Sequence, residues 1–304
     1  MEAHQQMVKI AYIILAYRLP AQLIRLVNQL DYEGATFHIH IDKKTKSEVF
    51  NEIFSELGWR SNVFFIPRHQ TPWGRIGCVK AELAGIKQIV ESNIDFDFTV
   101  NLSGQDYPIK SNQQIQDTLQ SGIGFSFLRY YPIPYESHPQ MQEWILYRHY
   151  YFLRWHISFP KADIFETPWL NRLWNPLVAR HKASYPLPSD MLPFYGSAYW
   201  CLSKEAALYI YNYLEKHKDY LKRFSHVQFP DEFFFQTTLL NSFLKDKIVD
   251  ENYRFIDFSS KKAHPNVMLS DDLPRLFSSP KLFARKFDMT VDNRVLDLID
   301  ERIK

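Results

Sequence analysis

Glycine is scarce in this chain of 304 residues, which has only 9 of them, under half of the roughly 7% that is usual in proteins. Loops that cradle phosphates are rich in glycine, and neither G-x-G-x-x-G nor G-x-x-x-x-G-K-[ST] occurs in the sequence. The serine-hydrolase pattern G-x-S-x-G is missing as well. These absences exclude the common nucleotide-binding loops and the usual serine nucleophile.

Cysteine is scarce too, and neither sign of charge dominates. Cys78 and Cys201 lie too far apart in sequence for a metal or redox motif, which indicates a protein of a reducing compartment without a disulfide framework. There are 36 Lys+Arg against 34 Asp+Glu, and no run of five like charges occurs. Nucleic-acid binders usually show a basic excess or a basic stripe, so we expect no nucleic-acid partner.

Long apolar runs are also missing. The longest one covers residues 10–17, well short of the roughly 20 residues that cross a bilayer as a helix. The first residues show no charged segment followed by an apolar one, as a secretory signal would. We therefore expect a cytoplasmic protein, with any membrane association peripheral and at the inner face.

What the chain does have is a regular alternation of strand and helix patterns over residues 8–120. Apolar or alternating runs predict strands at residues 8–16, 37–42, 62–66 and 96–102. Helical spacing predicts helices at residues 20–30 and 78–90, and Ser111 is predicted to cap a further short helix. This alternation is typical of an α/β fold in which helices flank a mainly parallel central sheet.

The second half of the chain is less regular. Residues 130–195 are aromatic and broken by prolines, which indicates a long excursion over the sheet. Later segments predict a strand at 196–202, a helix from Ser203 to about Lys216, a helix opening at 229–235, a strand near 253–258, and a helical, basic tail from Ser270. Since no linker or repeat divides the chain, the sequence predicts one domain over residues 1–304.

Two motifs could hold a metal ion. His38, His40 and Asp42 alternate along a predicted strand and so share one face, but no further ligand pattern accompanies them. The favoured interpretation is two interior histidines and a terminal Asp42 that meets a ligand. Asp95-Phe-Asp97 is a D-x-D pair of the kind that holds a metal in many nucleotide-sugar enzymes, yet it stands at the start of a predicted strand. Ligands of open α/β sheets bind beyond the carboxyl ends of strands.

The segment at the carboxyl end of that same strand carries a single acid, Asp106. One carboxylate is a poor metal clamp, so a diphosphate bound there would need positive charge from elsewhere. Two basic pairs near the C-terminal end are candidates for that charge, or are simply solvated: Lys261-Lys262 and Arg285-Lys286.

Pro230-Asp231-Glu232 places two acids ahead of three phenylalanines. Asp231 could cap a helix while Glu232 complements its dipole, a contribution of about 0.5–2 kcal/mol. Alternatively, Glu232 is a general base held against an aromatic wall. From spacing alone the capping role is favoured.

Six segments occur in a characteristic order: residues 39–44, 71–74, 101–109, 196–200, 230–232 and 282–288. Together they resemble the core-2/I-branching β-1,6-N-acetylglucosaminyltransferases and the related peptide O-xylosyltransferases, which form glycosyltransferase family 14. The resemblance covers nearly the whole chain, from about Lys9 to Asp288. It implies a GT-A-type fold, with a nucleotide-binding half at about 8–120 and an acceptor and catalytic half at about 121–304. It also implies inversion of the anomeric centre without a divalent metal or other cofactor.

The resemblance further implies roles for individual residues, and it reverses the preference for a capping role of Glu232. Glu232 matches the catalytic base. The donor, a UDP-sugar, is expected to contact Asp42, Trp73, Gly74, Asp106 and Lys286, with Lys261 or Lys262 as a second cation on the diphosphate. The glycan acceptor is expected to contact Trp144, Arg148, Arg154, Tyr199, Trp200 and Asp231.

The animal enzymes carry a membrane anchor and many disulfide cysteines, which this sequence does not show, so we expect a bacterial, cytoplasmic form that acts in polysaccharide biosynthesis. The expected reaction is transfer of N-acetylglucosamine to an acceptor hydroxyl in β linkage. A xylosyltransferase-like enzyme that uses UDP-xylose is the first alternative. A non-catalytic carbohydrate-binding protein on the same scaffold and a nucleotide-sugar hydrolase remain open as other classes.

Overall fold

The apolar patterns of the sequence form the strands and helices of the computed structural model, which describes residues 7–152, 155–159, 168–180, 187–262 and 264–304. The strands in the described part are β1 (Ile10–Ala16), β2 (Ala35–Ile41), β3 (Val63–Phe65), β4 (Phe98–Ser103), β5 (Asp106–Pro108), β6 (Ser126–Pro132), β7 (Arg148–Phe152), β8 (Trp155–Phe159), β9 (Phe194–Ser203), β10 (Ile248–Val249), β11 (Arg254–Ile256) and β12 (Phe283–Arg285). The helices are α1 (Pro20–Leu30), α2 (Ser47–Leu57), α3 (Gly77–Glu91), α4 (Asn112–Gln120), α5 (Gln140–Leu146), α6 (Pro168–Arg180), α7 (Lys204–Lys216), α8 (Tyr220–Arg223), α9 (Phe234–Leu240), α10 (Leu273–Ser278) and α11 (Arg294–Ile303).

Seven of the described strands form the central sheet, in the order β10-β6-β9-β4-β1-β2-β3. β1 pairs in parallel with both β2 and β4, and β2 pairs in parallel with β3. β9 is antiparallel to both β4 and β6. A strand buried on both faces carries a continuous apolar run, which explains why β1 lies in the middle. The predicted α/β class with a mainly parallel sheet is confirmed.

Helices cover both faces of this sheet. On one face, Leu23 of α1 and Leu296 of α11 belong to the same buried cluster as Ile14 of β1. On the other face, Ile86 of α3 and Ala207 of α7 pack with Ile13 of β1. Neighbouring residues of β1 therefore point into two separate cores, which is the arrangement that flanking helices require. No helix in the described ranges is long and apolar enough to cross a membrane.

A second, three-stranded sheet in the order β11-β12-β5 lies beyond the end of β4. β12 runs antiparallel to β5, and its register sets Arg285 opposite Asp106. This sheet corrects the prediction of a wholly helical tail, because residues 283–285 form a strand between the helices α10 and α11. Phe283 and Ala284 are buried there, so the strand is stabilised by pairing and core contacts at once.

Candidate active site

The carboxyl ends of the parallel strands bring separate parts of the sequence to one edge of the sheet. β1, β2 and β4 run in the same direction, so the segments that follow them meet there. Arg18 follows β1, Asp42 follows β2, and Asp106 comes shortly after β4. This edge therefore collects acidic and basic side chains that lie up to about ninety positions apart in sequence.

Asp42 is fixed by three hydrogen bonds. Its Oδ2 accepts bonds from the Thr71 backbone N–H at 2.7 Å and from the Thr71 hydroxyl at 2.5 Å, and its Oδ1 accepts one from the Lys44 backbone N–H at 2.6 Å. Burial raises the pKa of this carboxyl, but the bonds from Thr71 and Lys44 outweigh burial and leave the pKa below its usual value. Asp42 is thus an ionised acceptor of hydrogen bonds held in one orientation.

Trp73 and Gly74 lie in a loop that links Asp42 to Phe229, the residue before the Pro230–Glu232 segment. Gly74 has a φ of 70°, and its carbonyl accepts a hydrogen bond from the Phe229 backbone N–H at 3.1 Å. A Cβ at this position would lie only 3.1 Å from the Phe229 ring, so glycine suits both the conformation and the close approach. Trp73 is 65% exposed, and its ring packs edge-on against Phe229 and His264.

Asp231 and Glu232 lie on a 3₁₀ turn, Pro230–Glu232, that precedes helix α9. The sequence predicts that a helix opens at 229, but Phe229 takes a left-handed conformation with a φ of 52°, and the helix begins only at Phe234. Pro230 stands at the first position of the turn, where its missing N–H costs nothing. The turn holds both acids at the edge of the site, while the phenylalanines after them are buried.

The pKa of each of these two carboxyls is raised in this environment. Burial raises the pKa of Asp231, and burial together with the negative charge of Asp231 raises the pKa of Glu232. A hydrogen bond from the Tyr195 hydroxyl lowers the pKa of Glu232 only in part. Burial and the charge of Glu232 raise the pKa of Tyr195, so that hydroxyl keeps its proton. A carboxylate with a raised pKa near neutrality has the property that a general base needs.

The guanidinium of Arg285, on β12, is held by an acid, a hydroxyl and an aromatic ring. Its Nη1 lies 3.5 Å from Oδ1 of Asp106, which is completely buried, and 3.4 Å from the Ser103 hydroxyl. Oδ2 of Asp106 accepts a hydrogen bond from the Ser103 backbone N–H at 2.5 Å. The guanidinium of Arg285 also lies over the Tyr199 ring, with 4.4 Å between its carbon and the ring centroid. Asp106 thus positions the guanidinium of Arg285.

Lys286 and Arg18 add two more positive charges beside Arg285, and we call these three residues the cation cluster. Burial, and then the charges of Arg18 and Arg285, lower the pKa of Lys286. Arg18 forms an ion pair with Asp288, and Arg285 is the partner of Asp106. Three cations thus share two carboxylates, and the surplus positive charge favours an anionic ligand.

Lys261 and Lys262 do not join the cation cluster by any contact in the described part of the chain. Both side chains are exposed, and Lys261 has a left-handed φ of 54°. The loop that carries them nevertheless lies beside Trp73, because the rings of His264 and Trp73 are 5.5 Å apart. Their assignment to the donor stays a prediction.

The predicted acceptor residues are spread over different environments. Trp144 packs on Phe229 with 4.8 Å between ring centroids, so it lies beside the Pro230–Glu232 turn. Arg148 is exposed on β7. Tyr199 faces Arg285 and so lies on the cation side of the site. Arg154 lies outside the described residues.

Trp200 corrects one prediction. It is completely buried in the core against Phe235, with 4.9 Å between ring centroids, so it offers no face to an acceptor. Side chains alternate along a strand, and the neighbour Tyr199 occupies the side of β9 that faces the cations. Trp200 has a packing role.

His38 and His40 are interior residues of β2, as the sequence favoured. His38 is hydrogen-bonded through Nδ1 to the Gln88 side chain at 2.8 Å, and Nε2 of His40 accepts a bond from the His69 backbone N–H at 3.1 Å. Burial lowers the pKa of both rings to about 4, so they are neutral. Among the described residues, no group of three or more His, Cys, Asp or Glu side chains is arranged to hold a metal ion.

Asp95 and Asp97 stand at the entry of a strand, β4, as the sequence indicates, and Asp95 is largely exposed there. Asp95 forms ion pairs with Lys9 at 2.7 Å and Lys204 at 2.9 Å, and Asp97 accepts a hydrogen bond from the Lys9 backbone N–H at 2.8 Å. These contacts tie together the starts of β1 and β4. They lie at the sheet edge opposite the cation cluster.

Sequence reasoning missed Arg18, Tyr195 and the buried acid Glu82. Arg18 had a usable signal, since it directly follows the first predicted strand at the edge where ligands bind. Tyr195 and Glu82 had none, because each reaches the Pro230–Glu232 turn only through the packing of β9 and α3 against it.

The sequence of this chain is similar to those of xylosyltransferases from rat and human. Xylosyltransferase 2 of Rattus norvegicus is 26% identical over 316 residues, covering 97% of this chain and 33% of that protein. Xylosyltransferase 1 of Homo sapiens is 24% identical over 315 residues, covering 96% of this chain and 30% of that protein. The chain thus spans about a third of the length of the curated relatives that it matches.

Among solved structures, the mannosyltransferase Ktr4p from S. cerevisiae in complex with GDP is 12% identical, with a TM-score of 0.36, covering 83% of this chain and 69% of that one. The sequence model of the Core-2/I-Branching enzyme family matches residues 10–138 and 145–277. That match includes β1, β2 with Asp42 after it, the 71–74 loop and the Pro230–Glu232 turn, and it leaves out β12 with Arg285 and Lys286. The chain belongs to the Core-2/I-Branching enzyme family.

Proposed function

We propose that this chain is a glycosyltransferase that transfers a sugar from a UDP-sugar to a hydroxyl group of a glycan acceptor, with inversion at the anomeric carbon. One observation carries the proposal. A carboxylate with a raised pKa, Glu232, and a surplus of fixed cations are held at the same sheet edge, joined through the loop that binds both Asp42 and Phe229. Family membership supports the same reaction class.

The reaction is a single displacement. The Glu232 carboxylate takes the proton of the acceptor hydroxyl, and the acceptor oxygen forms the new bond to the anomeric carbon. The bond from that carbon to the phosphate oxygen breaks, and its electron pair leaves with UDP. Negative charge grows on the diphosphate during this step, and preorganised cations stabilise such charge most effectively in a partly desolvated site.

The donor is placed by groups on either side of the reaction centre. Asp42, with Trp73 and Gly74 beside it, takes the nucleoside, while Arg285 and Lys286 take the diphosphate, supplemented by Lys261 or Lys262. Trp144, beside the turn, offers an aromatic surface to the acceptor sugar. Asp231 stands next to the base and contacts the acceptor as well.

The donor sugar is a finer proposal. N-acetylglucosamine is the first candidate, in keeping with the resemblance to branching N-acetylglucosaminyltransferases. Xylose is the second candidate, and the names of the matched relatives, xylosyltransferases of rat and human, favour it.

A thermal-shift screen tests the donor. UDP, UDP-N-acetylglucosamine, UDP-xylose, UDP-glucose and UDP-galactose are each added to the protein, because a ligand that binds only the folded state raises Tm. A concentration 100 times the Kd stabilises by about 2.7 kcal/mol. We expect a shift with UDP and a larger one with the true donor. GDP is the matched control, and an equal shift with GDP and UDP would contradict a UDP-specific site.

Metal independence is tested by chelation. Because the cation cluster supplies the positive charge that a divalent ion would give to the leaving diphosphate, we expect EDTA to leave the rate of UDP release unchanged. The rate is measured with glycan acceptors before and after EDTA treatment. A loss of activity that Mn²⁺ restores would show that the cations are not sufficient.

A further inference from the structure

Glu82 is a buried acid next to the Pro230–Glu232 turn, which carries the proposed base and is called the catalytic turn here. It lies on α3, and its side chain is only 2% exposed. Helix α3 packs closely on β1, because a Cβ on Gly85 would lie 2.9 Å from the Ile13 side chain. The turn of α3 that carries Glu82 comes just before Gly85 and so also lies against the sheet. Glu82 is therefore enclosed by secondary structure and sits away from bulk water.

The partners of Glu82 leave one of its oxygens unsatisfied. Oε1 accepts a hydrogen bond from the Asn101 side chain at 2.8 Å, and the same Asn101 nitrogen donates to the Ala198 carbonyl at 2.9 Å. Oε2 is buried without a partner, and so is Oδ1 of Asp231. An ionised carboxylate buried in this way, with one hydrogen bond and no cation, is strongly disfavoured.

The charges around Glu82 also oppose its ionisation. Asp231 acts on it from the catalytic turn, with Glu232 as the next residue, and the Cys78 thiol lies on the same helix within reach of Glu82 and Asp231. None of the Lys and Arg residues in the described ranges forms an ion pair with Glu82. Burial and then the charge of Asp231 raise the pKa of Glu82 well above its usual value, against a smaller lowering by Asn101.

We propose that Glu82 keeps its proton throughout catalysis and acts as a positioning residue, a neutral acid beneath the catalytic turn that lets Asp231 and Glu232 carry the negative charge. Three ionised carboxylates in this pocket would repel one another, and the proton on Glu82 removes one of them. A proton on Oε2 of Glu82 makes this oxygen a hydrogen-bond donor. The pocket also contains Oδ1 of Asp231, an acceptor that lacks a partner. This inference builds on the proposed role of Glu232.

Infrared difference spectroscopy tests the protonation state without any assay of transfer. Near neutral pH, the spectrum of Glu82→Gln subtracted from that of the unmodified protein is expected to show the C=O band of one protonated carboxylic acid. The matched control is Glu215→Gln on α7, where the acid is exposed and paired with Lys218, and only carboxylate bands are expected to disappear. Loss of a carboxylate band in Glu82→Gln would overturn the proposal.

One further measurement keeps the proposal testable if Glu82→Gln folds poorly, and another applies where that variant folds. In unmodified protein with ¹³C-labelled glutamate carboxyls, a protonated-glutamate band should persist at pH values where the rate has already reached its plateau. Its absence there would also refute a neutral Glu82. In Glu82→Gln that does fold, the acid limb of the rate profile should move by less than about 0.3 pH units, because an amide replaces a neutral acid. Removal of a charged Glu82 would shift that limb to lower pH by a unit or more, a tenfold change.

Discussion

Glu232→Gln is expected to lower the rate of sugar transfer by about 10²–10⁴-fold, the usual contribution of a positioned general base, while UDP binds as before. The amide has nearly the same shape as the carboxylate but cannot accept the proton of the acceptor hydroxyl. UDP affinity should be unchanged, because the cation cluster and Asp42 lie on other elements. The measurements are UDP release with glycan acceptors and calorimetric titration with UDP.

Two controls accompany this variant. Glu205→Gln replaces an exposed glutamate on α7 and should leave both quantities unchanged. Asp231→Asn removes the neighbouring charge that raises the pKa of Glu232, so it should retain more activity than Glu232→Gln. Near-normal turnover in Glu232→Gln would contradict the assignment of the base.

The rate should also depend on pH in a defined direction. Glu232 works as a base only when ionised, and its folded-state pKa is raised above the usual glutamate value of about 4.3 by burial and by Asp231. Activity is therefore present above the raised pKa and is lost as the pH falls through it. A profile of kcat/KM that stays flat down to about pH 5 would argue against a base in this environment.

Much of the fold could be predicted because the local signals are strong and agree with one another. α7 begins after Ser203 and ends at Lys216 as predicted, and the Ser203 side chain accepts the capping bond from the Ala206 backbone N–H. Ser111 forms a full capping box with Gln114 at the start of α4. In both cases the chemistry of one residue type fixes a boundary, and no distant contact has to override it.

The predictions that fell short depend on contacts between distant segments. Residues 283–285 are short and follow a helix, and only their pairing with β5 and β11 makes them a strand. The helix predicted to open at 229 is delayed because Phe229 contacts Gly74 from a loop more than 150 positions earlier. An indole ring suits stacking on a sugar, which favours an acceptor role for Trp200. The register of β9 in the sheet instead turns this side chain into the core.

Some residues of the candidate site can be identified from local sequence, whereas others depend on distant partners. Asp42, Asp106 and Glu232 follow strands or stand on a recognisable motif, so the sequence alone could single them out. The role of Asp106 depends on its partner, since its buried carboxylate faces Arg285, which comes 179 positions later. The sequence predicts Lys286 as a diphosphate ligand. The structure adds Arg285, one position before it, whose guanidinium is oriented by Asp106 and Tyr199.

Arg285→Ala is expected to weaken UDP binding by about 10–100-fold, since a charge-assisted hydrogen bond contributes about 1.5–3 kcal/mol. The fall in kcat/KM should be larger, about 10²–10³-fold, because the charge on the diphosphate grows in the transition state. UDP titration and the rate of UDP release measure the two effects. Arg302→Ala, an exposed arginine on α11, is the control and should change neither.

The second effect of Arg285→Ala is on stability, and it can be separated from binding. Loss of the guanidinium leaves the fully buried Asp106 without its cation. Removing one partner of a buried ion pair lowers the free energy of unfolding by up to about 3–5 kcal/mol. The loss should be smaller here, because Arg285 is itself partly exposed. Asp106→Asn combined with Arg285→Ala should recover much of the loss in Tm, since the stranded charge is gone, yet UDP should still bind weakly. Arg285→Lys keeps a charge but loses the planar stack on Tyr199, so its kcat/KM should lie between those of the unmodified protein and Arg285→Ala. If the double variant bound UDP as tightly as the unmodified protein, Arg285 would be a structural partner of Asp106 and not a diphosphate ligand.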